Sequence, residues 1–109
     1  MRRPLRFLAH RLDLTEEQVA SLARILNELK TERAQAEVDN QRTVTAFADA
    51  IEGDSFDAAR AEEGNKLRIA SAERLKDAVQ KALAAIHGVL TKEQREKFAY
   101  LVRTGVVSI

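Results

Sequence analysis

Residues 16–52 read EEQVASLARILNELKTERAQAEVDNQRTVTAFADAIE, without a proline or a glycine. Nothing in this stretch ends a helix, so one helix of roughly 55 Å is expected from Glu16 to Glu52. Its apolar positions recur at spacings of three and four: Val19, Leu22, Ile25, Leu26 and Leu29 at the start, Val44, Phe47 and Ile51 at the end. Between them the same spacing presents Arg33, Ala36 and Asn40, so the helix continues while its apolar stripe weakens. Gly53-Asp54-Ser55 follows as a turn, with Gly53 suited to a helix end.

The letters just before this helix are Leu14-Thr15-Glu16-Glu17-Gln18, and they return as Leu90-Thr91-Lys92-Glu93-Gln94. Each copy reads as a capping box. The Thr hydroxyl accepts from the amide three residues on, and the Gln side chain reaches back to the amide of the Thr. Leu14 is placed for a hydrophobic staple on Val19; in the second copy the matching position is Arg95, so only its aliphatic stem would serve. Thr15, Gln18, Thr91 and Gln94 are therefore read as helix caps.

Three further helices complete the chain. A short one spans about Pro4 to Arg11, with Pro4 at an N1-like position and Leu5, Leu8 and Leu12 apolar. Phe56-Asp57 resembles a staple residue and an N-cap opening a helix from Ala58 to about His87, which Gly88 would end. Its early stripe reads Ala59, Glu63, Leu67, Ala70 and its later one Leu75, Val79, Ala82, Ile86. The two are rotated by about a quarter turn, which implies a change of neighbour. Gly64 is expected to weaken it. The second box opens a last helix, Lys92 to about Arg103, with Phe98, Leu101 and Val102 apolar and Gly105 ending it; residues 104–109 form a tail.

The short connection makes the two long helices an antiparallel hairpin. Sliding them together sets Leu26 and Leu29 near Ala78 and Ala82, Val44 near Glu63 and Arg33 near Glu73. The expected fold is all-α: a long hairpin with short N- and C-terminal helices, one domain over residues 1–109, with residues 1–13 as a basic arm and short helix. Such a hairpin cannot bury both sides of its helices, so a homodimer is expected.

Composition narrows the function. Charged residues make up 32% and aromatics 5%, the balance of long solvated helices. The net charge of +1 gives no global field for nucleic acid, and no reading motif is present. Cysteine is absent, which removes thiol chemistry and leaves the compartment open. No run approaches the roughly 20 apolar residues of a membrane span. Met1 to His10 is basic without an apolar core, so no secretion signal is read there; either the protein is cytosolic or the chain is of mature length with an added Met1. Arg2, Arg3, Arg6, His10 and Arg11 form the basic arm, a solvated end or a contact for acidic lipid headgroups, anionic clients or nucleic acid. For zinc or another divalent metal the only histidines are His10 and His87, with Asp13, Glu16 and Glu17 as helpers, short of a convergent donor set. No phosphate loop, nucleophile elbow or enclosed carboxylate pair is legible, so an enzyme is not expected, nor a cofactor.

The twin Leu-Thr-x-x-Gln motifs, their wide separation, the all-helical pattern and the Phe56-Asp57 turn between long helices resemble the Spy/CpxP, or LTxxQ, family over essentially the whole chain. The resemblance implies a periplasmic envelope-stress protein and an ATP-independent chaperone. Its form would be a thin, curved, cradle-like dimer holding unfolded protein clients on a concave face. It also covers metal-sensing and heavy-metal-resistance relatives; the scarcity of His speaks against that branch. A structural interaction module is the third reading. Two sets of residues are candidates for a client or dimer surface. Arg33 and Asn40 interrupt the stripe, as a register device or an incompletely packed surface. Ala34, Val38 and Arg42 share the opposite face, where scattered charge and small apolar groups would hold a client loosely.

Overall fold

A computed structural model describes residues 3–109, with side chains from Leu5 onward. Arg2 of the basic arm lies outside the described residues, as do the side chains of Arg3 and Pro4. The described chain is four helices: α1 Arg3–Leu12, α2 Glu16–Glu52, α3 Ala58–Val89 and α4 Lys92–Arg103. Helices α2 and α3 pack against each other as a hairpin. The chain forms two compact units, one of residues up to Leu29 with Val79–Ile109, the other Lys30–Ala78.

The first unit, the terminal unit, gathers α1, the start of α2, the end of α3 and α4. It holds most of the buried apolar side chains: Leu8, Leu12, Leu22, Ile25, Leu29, Ala82, Ile86, Leu90, Phe98 and Leu101. Helix α1 ends in a tight reversal. Asp13 takes φ 55°, Asp13 N–H donates to His10 O, and Leu14 N–H donates to Ala9 O. That is a Schellman end with aspartate, one of the residues that tolerates the left-handed region, in place of glycine. Gly105 (φ 82°) plays the same part after α4, and the tail is held where Val107 N–H donates to Leu101 O. Gly88 does not end α3; it lies inside the helix, which runs on to Val89.

The second unit, the hairpin unit, buries a different stripe from the one expected. Val44 is 52% and Ile51 73% exposed, Phe47 is half-buried, and Arg33 and Asn40 are exposed. Asp39, Thr43, Ala46 and Ala50 are the buried residues, one position back along the same three-and-four spacing. The expected pairing level, Val44 beside Glu63, becomes Thr43 with Gly64: the register holds and the face turns by about 100°. The cause is the closeness of the two backbones. A Cβ on Gly64 would meet Phe47 Cε1 at 2.9 Å and Ala46 Cβ at 3.0 Å. Only small side chains fit such an approach, so alanines and threonine turn inward and larger residues are pushed to the flanks. The expected early stripe of α3 fails for the same reason. Ala59, Glu63 and Ala70 are exposed, while Gly64 is buried and Leu67, Ser71 and Leu75 are half-buried, giving one continuous stripe instead of two rotated ones.

Gly64 is thus a packing residue. Alanine there gains up to about 1 kcal/mol of helix propensity. It also forces Cβ against Ala46 Cβ and the Phe47 ring on the facing helix, at a cost of about 1–3 kcal/mol. Gly64→Ala is expected to lower thermal stability despite the better helix former, and Gly64→Val to lower it further. An unchanged or raised melting temperature for Gly64→Ala would refute the close approach.

The turn closes with Asp57 N–H donating to Ala50 O, while Asp57 Oδ1 accepts from Arg60 N–H as the cap of α3. Phe56, read as a staple residue, is 63% exposed.

Candidate functional site

Both Leu-Thr-x-x-Gln segments lie in the terminal unit. In the first, Thr15 N–H donates to Gln18 Oε1 (2.9 Å) and Gln18 N–H donates to Thr15 Oγ1 (3.1 Å). In the second, Thr91 N–H donates to Gln94 Oε1 (2.9 Å) and Gln94 N–H donates to Thr91 Oγ1 (3.3 Å). Both are complete capping boxes. Leu90 is buried, and Leu14 and Val19 are half-buried.

The glutamines do more than cap. Gln18 Nε2 donates to Gln94 Oε1 at 2.7 Å and to Val89 O at 3.0 Å. Gln94 Nε2 lies 3.1 Å from Gln18 Oε1 and 3.2 Å from Leu12 O, with Asp13 O at 3.4 Å. Each amide therefore caps the start of its own helix, satisfies a carbonyl at the end of another, and bonds to the other amide. Four helix ends meet on two side chains. Carboxylates cap as well but have no N–H to give, so the arrangement needs the amide. Arg95 adds to it by donating to Leu90 O (3.0 Å) and His87 O (3.3 Å) at the end of α3. That is a polar role, where the sequence offered only its stem.

The hairpin unit carries the candidate surface. Arg33, Ala34, Val38, Asn40 and Arg42 are all exposed. They do not form one face. Arg33 and Asn40 are seven apart and share a flank of α2 with Val44 and Ile51; Ala34, Val38 and Arg42 recur every four residues on the other flank. Val38 and Arg42 line an open groove with Gln41 and Thr45 and with Arg60, Glu63 and Leu67 of α3. Arg60 bridges its wall, donating to Asp49 Oδ2 (2.9 and 3.1 Å) and Glu63 Oε1 (3.0 Å). The Asp49 bond and then that to Glu63 raise its pKa.

Sequence reasoning missed the buried polar pair beneath this surface. Asp39 is 3% exposed and Thr43 fully buried. Asp39 accepts from Gln35 Nε2 (3.0 Å) and from Arg74 Nη2, and Thr43 Oγ1 donates to Gly64 O (3.3 Å). The Gln35 bond, with Ser71 and Arg74, holds the Asp39 carboxyl below its ordinary range against the opposing effect of burial. A carboxylate depressed on folding stabilises the fold above its unfolded pKa, and that contribution fades as pH falls through the lower folded value. The legible signal was Thr43-x-x-Ala46-x-x-x-Ala50, small residues at helical spacing opposite a helix glycine. Also missed were the exposed apolar side chains Val44, Ile51, Phe56 and Ile69 (61%).

With the twin boxes joined through their glutamines, the comparison with known families is decisive: the profile described as "LTXXQ motif family protein" matches residues 1–101. The chain belongs to the LTXXQ motif family. Comparison with curated proteins and with solved structures finds no match. No helix of this LTXXQ protein, among the described residues, is long and apolar enough to cross a membrane. Nor do three or more acidic or histidine side chains among them converge to hold a metal ion; His10 and His87 are both exposed.

Proposed function

We propose that this LTXXQ protein is a non-enzymatic, chaperone-like protein of the periplasm that holds unfolded clients without ATP and works as a homodimer. One observation carries the reading. The hairpin unit exposes Val38, Val44, Ile51, Phe56 and Ile69 among exposed charges, while few apolar residues pack inside it. Isolated apolar side chains separated by charges hold an extended chain weakly at many points, and charge speeds the encounter. Family membership and the lack of any phosphate-binding loop in the sequence agree with this.

The test is aggregation of several unrelated, chemically denatured clients at near-equimolar ratio, followed by light scattering. Suppression is expected, and the triple variant Val44→Ser, Ile51→Ser, Phe56→Ser should lose most of it while melting close to the parent. Failure of the parent with every client would remove the proposal. Equilibrium sedimentation tests the dimer.

A further inference from the structure

Charge is divided unevenly between the two units. The terminal unit has ten Lys and Arg against six Asp and Glu, a formal +4; the hairpin unit has eight against eleven, −3, which together give the chain's +1. The hairpin unit neutralises much of its charge internally, through Arg60 with Asp49 and Glu63, Lys66 with Glu62, Arg74 with Asp39 and Lys76 with Asp77. The terminal unit does not. Among the described residues, Arg6, Arg11, Lys97 and Arg103 enter no ion pair.

These cations are carried by α1 and α4. Leu8 and Leu12 anchor α1 inward, which leaves Arg6 and His10, one turn apart, on the outer face. Arg11 lies 5.3 Å over the half-buried Phe7 ring and shares a groove with Lys97 and Tyr100 of α4. Glu93 and Glu96 line that groove too and balance Arg11 and Lys97, so the groove itself is formally neutral and the excess positive charge of α1 and α4 lies outside it. Tyr100 (59%), which lines the groove with Lys97, is exposed, as are Val102 (37%) on the other flank of α4 and Val106 (57%) in the tail.

We infer that the α1–α4 face docks on an anionic phospholipid surface. Three features select a bilayer over an acidic protein. The exposed cations are spread over α1 and α4 instead of converging on one point, which suits a plane offering phosphates at every position. On α1 the described cations, Arg6 and Arg11, are arginines, whose guanidinium forks phosphate oxygens. An exposed tyrosine, Tyr100, stands with Arg11 and Lys97, as at the water–lipid boundary, where an amphipathic side chain has both environments within reach.

The experiment is flotation of the full chain with vesicles of phosphatidylglycerol and phosphatidylcholine in equal parts, and with phosphatidylcholine alone. Binding is expected only to the anionic vesicles, and it should disappear near about 1 M salt, where screening is complete within a few ångströms. Arg6→Glu with Arg11→Glu should weaken binding at least about tenfold, since each surface cation contributes severalfold. Lys97→Glu with Arg103→Glu should do the same and supplies the answer if the α1 variant does not fold. Lys66→Glu with Lys76→Glu, in the hairpin unit, should bind like the parent. The inference is overturned if anionic vesicles fail to float the parent at low salt or if either folded basic-face variant binds as the parent does. It is also overturned if the hairpin variant loses as much, or if inorganic phosphate or polyglutamate at matched ionic strength displaces the vesicles.

Discussion

Replacing Gln18 and Gln94 together by glutamate is expected to lower the melting temperature by roughly 15 °C at neutral pH. Treated as caps alone, the two positions predict the opposite. A carboxylate accepts the cap N–H as well as an amide does, glutamate is an accepted third residue of a capping box, and negative charge is favoured at a helix N-terminus. The structure reverses that expectation because each Nε2 donates twice, to the other glutamine and to a carbonyl at the end of a different helix. Glutamate leaves Val89 O and Leu12 O without those donors and sets carboxylate oxygens about 3 Å apart in place of a donor–acceptor pair. Each part-buried group left unsatisfied costs about 1–3 kcal/mol, and the double variant should lose about 4 kcal/mol in all.

The pair would also make stability depend on pH. Two carboxylates at this separation cannot both ionise cheaply, so one takes a pKa raised above its unfolded value. A raised folded pKa stabilises below the unfolded pKa and is lost as pH rises through the folded one. The double variant should therefore recover melting temperature as pH is lowered from 7 towards about 4.3, the ordinary glutamate value. The parent amides do not titrate and should show no such recovery from this pair. Thr15→Ala and Thr91→Ala remove the other half of each box and should cost only about 1 kcal/mol each. Thermal melts of the parent and the three variants at two pH values decide the matter. A glutamate pair that melts with the parent would show that the glutamines only cap.

How far the sequence reaches is visible in these residues. The boxes, the helix order and the hairpin register follow from local rules: a Thr before a helical run, a glycine after it, a short turn between long helices. These depend on neighbours in the chain and need no knowledge of packing. Which face of α2 turns inward is a different question. Asn40, Val44, Phe47 and Ile51 make the more apolar stripe, and Asp39, Thr43, Ala46 and Ala50 are the ones buried. Hydrophobic periodicity assumes that the larger apolar group gains more from burial. Here the facing glycine brings the backbones so close that size excludes Val44 and Ile51, and a carboxylate with hydrogen-bonding partners is admitted instead. The glutamine junction was hidden for a related reason. A capping box accounts fully for its own letters, and the second pair of hydrogen bonds exists only once residues 76 positions apart are brought together.

Leu101→Ala is expected to cost about 2–5 kcal/mol, and Leu22→Ala a similar amount, whereas Ile51→Ala should fall within about 0.5 kcal/mol of the parent. Leu101 and Leu22 are 2% and 1% exposed; truncation removes their burial and leaves a cavity among neighbours that cannot fully close on it. Ile51, at 73% exposure, has little burial to lose. Against a total of about 5–15 kcal/mol for a domain of this size, either leucine change removes a large fraction. The same contrast should appear without mutation, in amide hydrogen exchange. Segments 19–29 and 82–101 carry, apart from Leu8 and Leu12, the buried leucines, isoleucines and phenylalanine and should exchange only near global unfolding. Segments 35–51 and 60–75 are held by alanines, a glycine and a few polar bonds and should open locally at lower free energy. Such a division lets the hairpin unit carry exposed Val44, Ile51 and Ile69 as a working surface, because the fold does not depend on burying them. Equal protection across both pairs of segments, or an Ile51→Ala loss as large as that of Leu101→Ala, would place the core of the protein in the hairpin unit as well and remove the physical basis for that division.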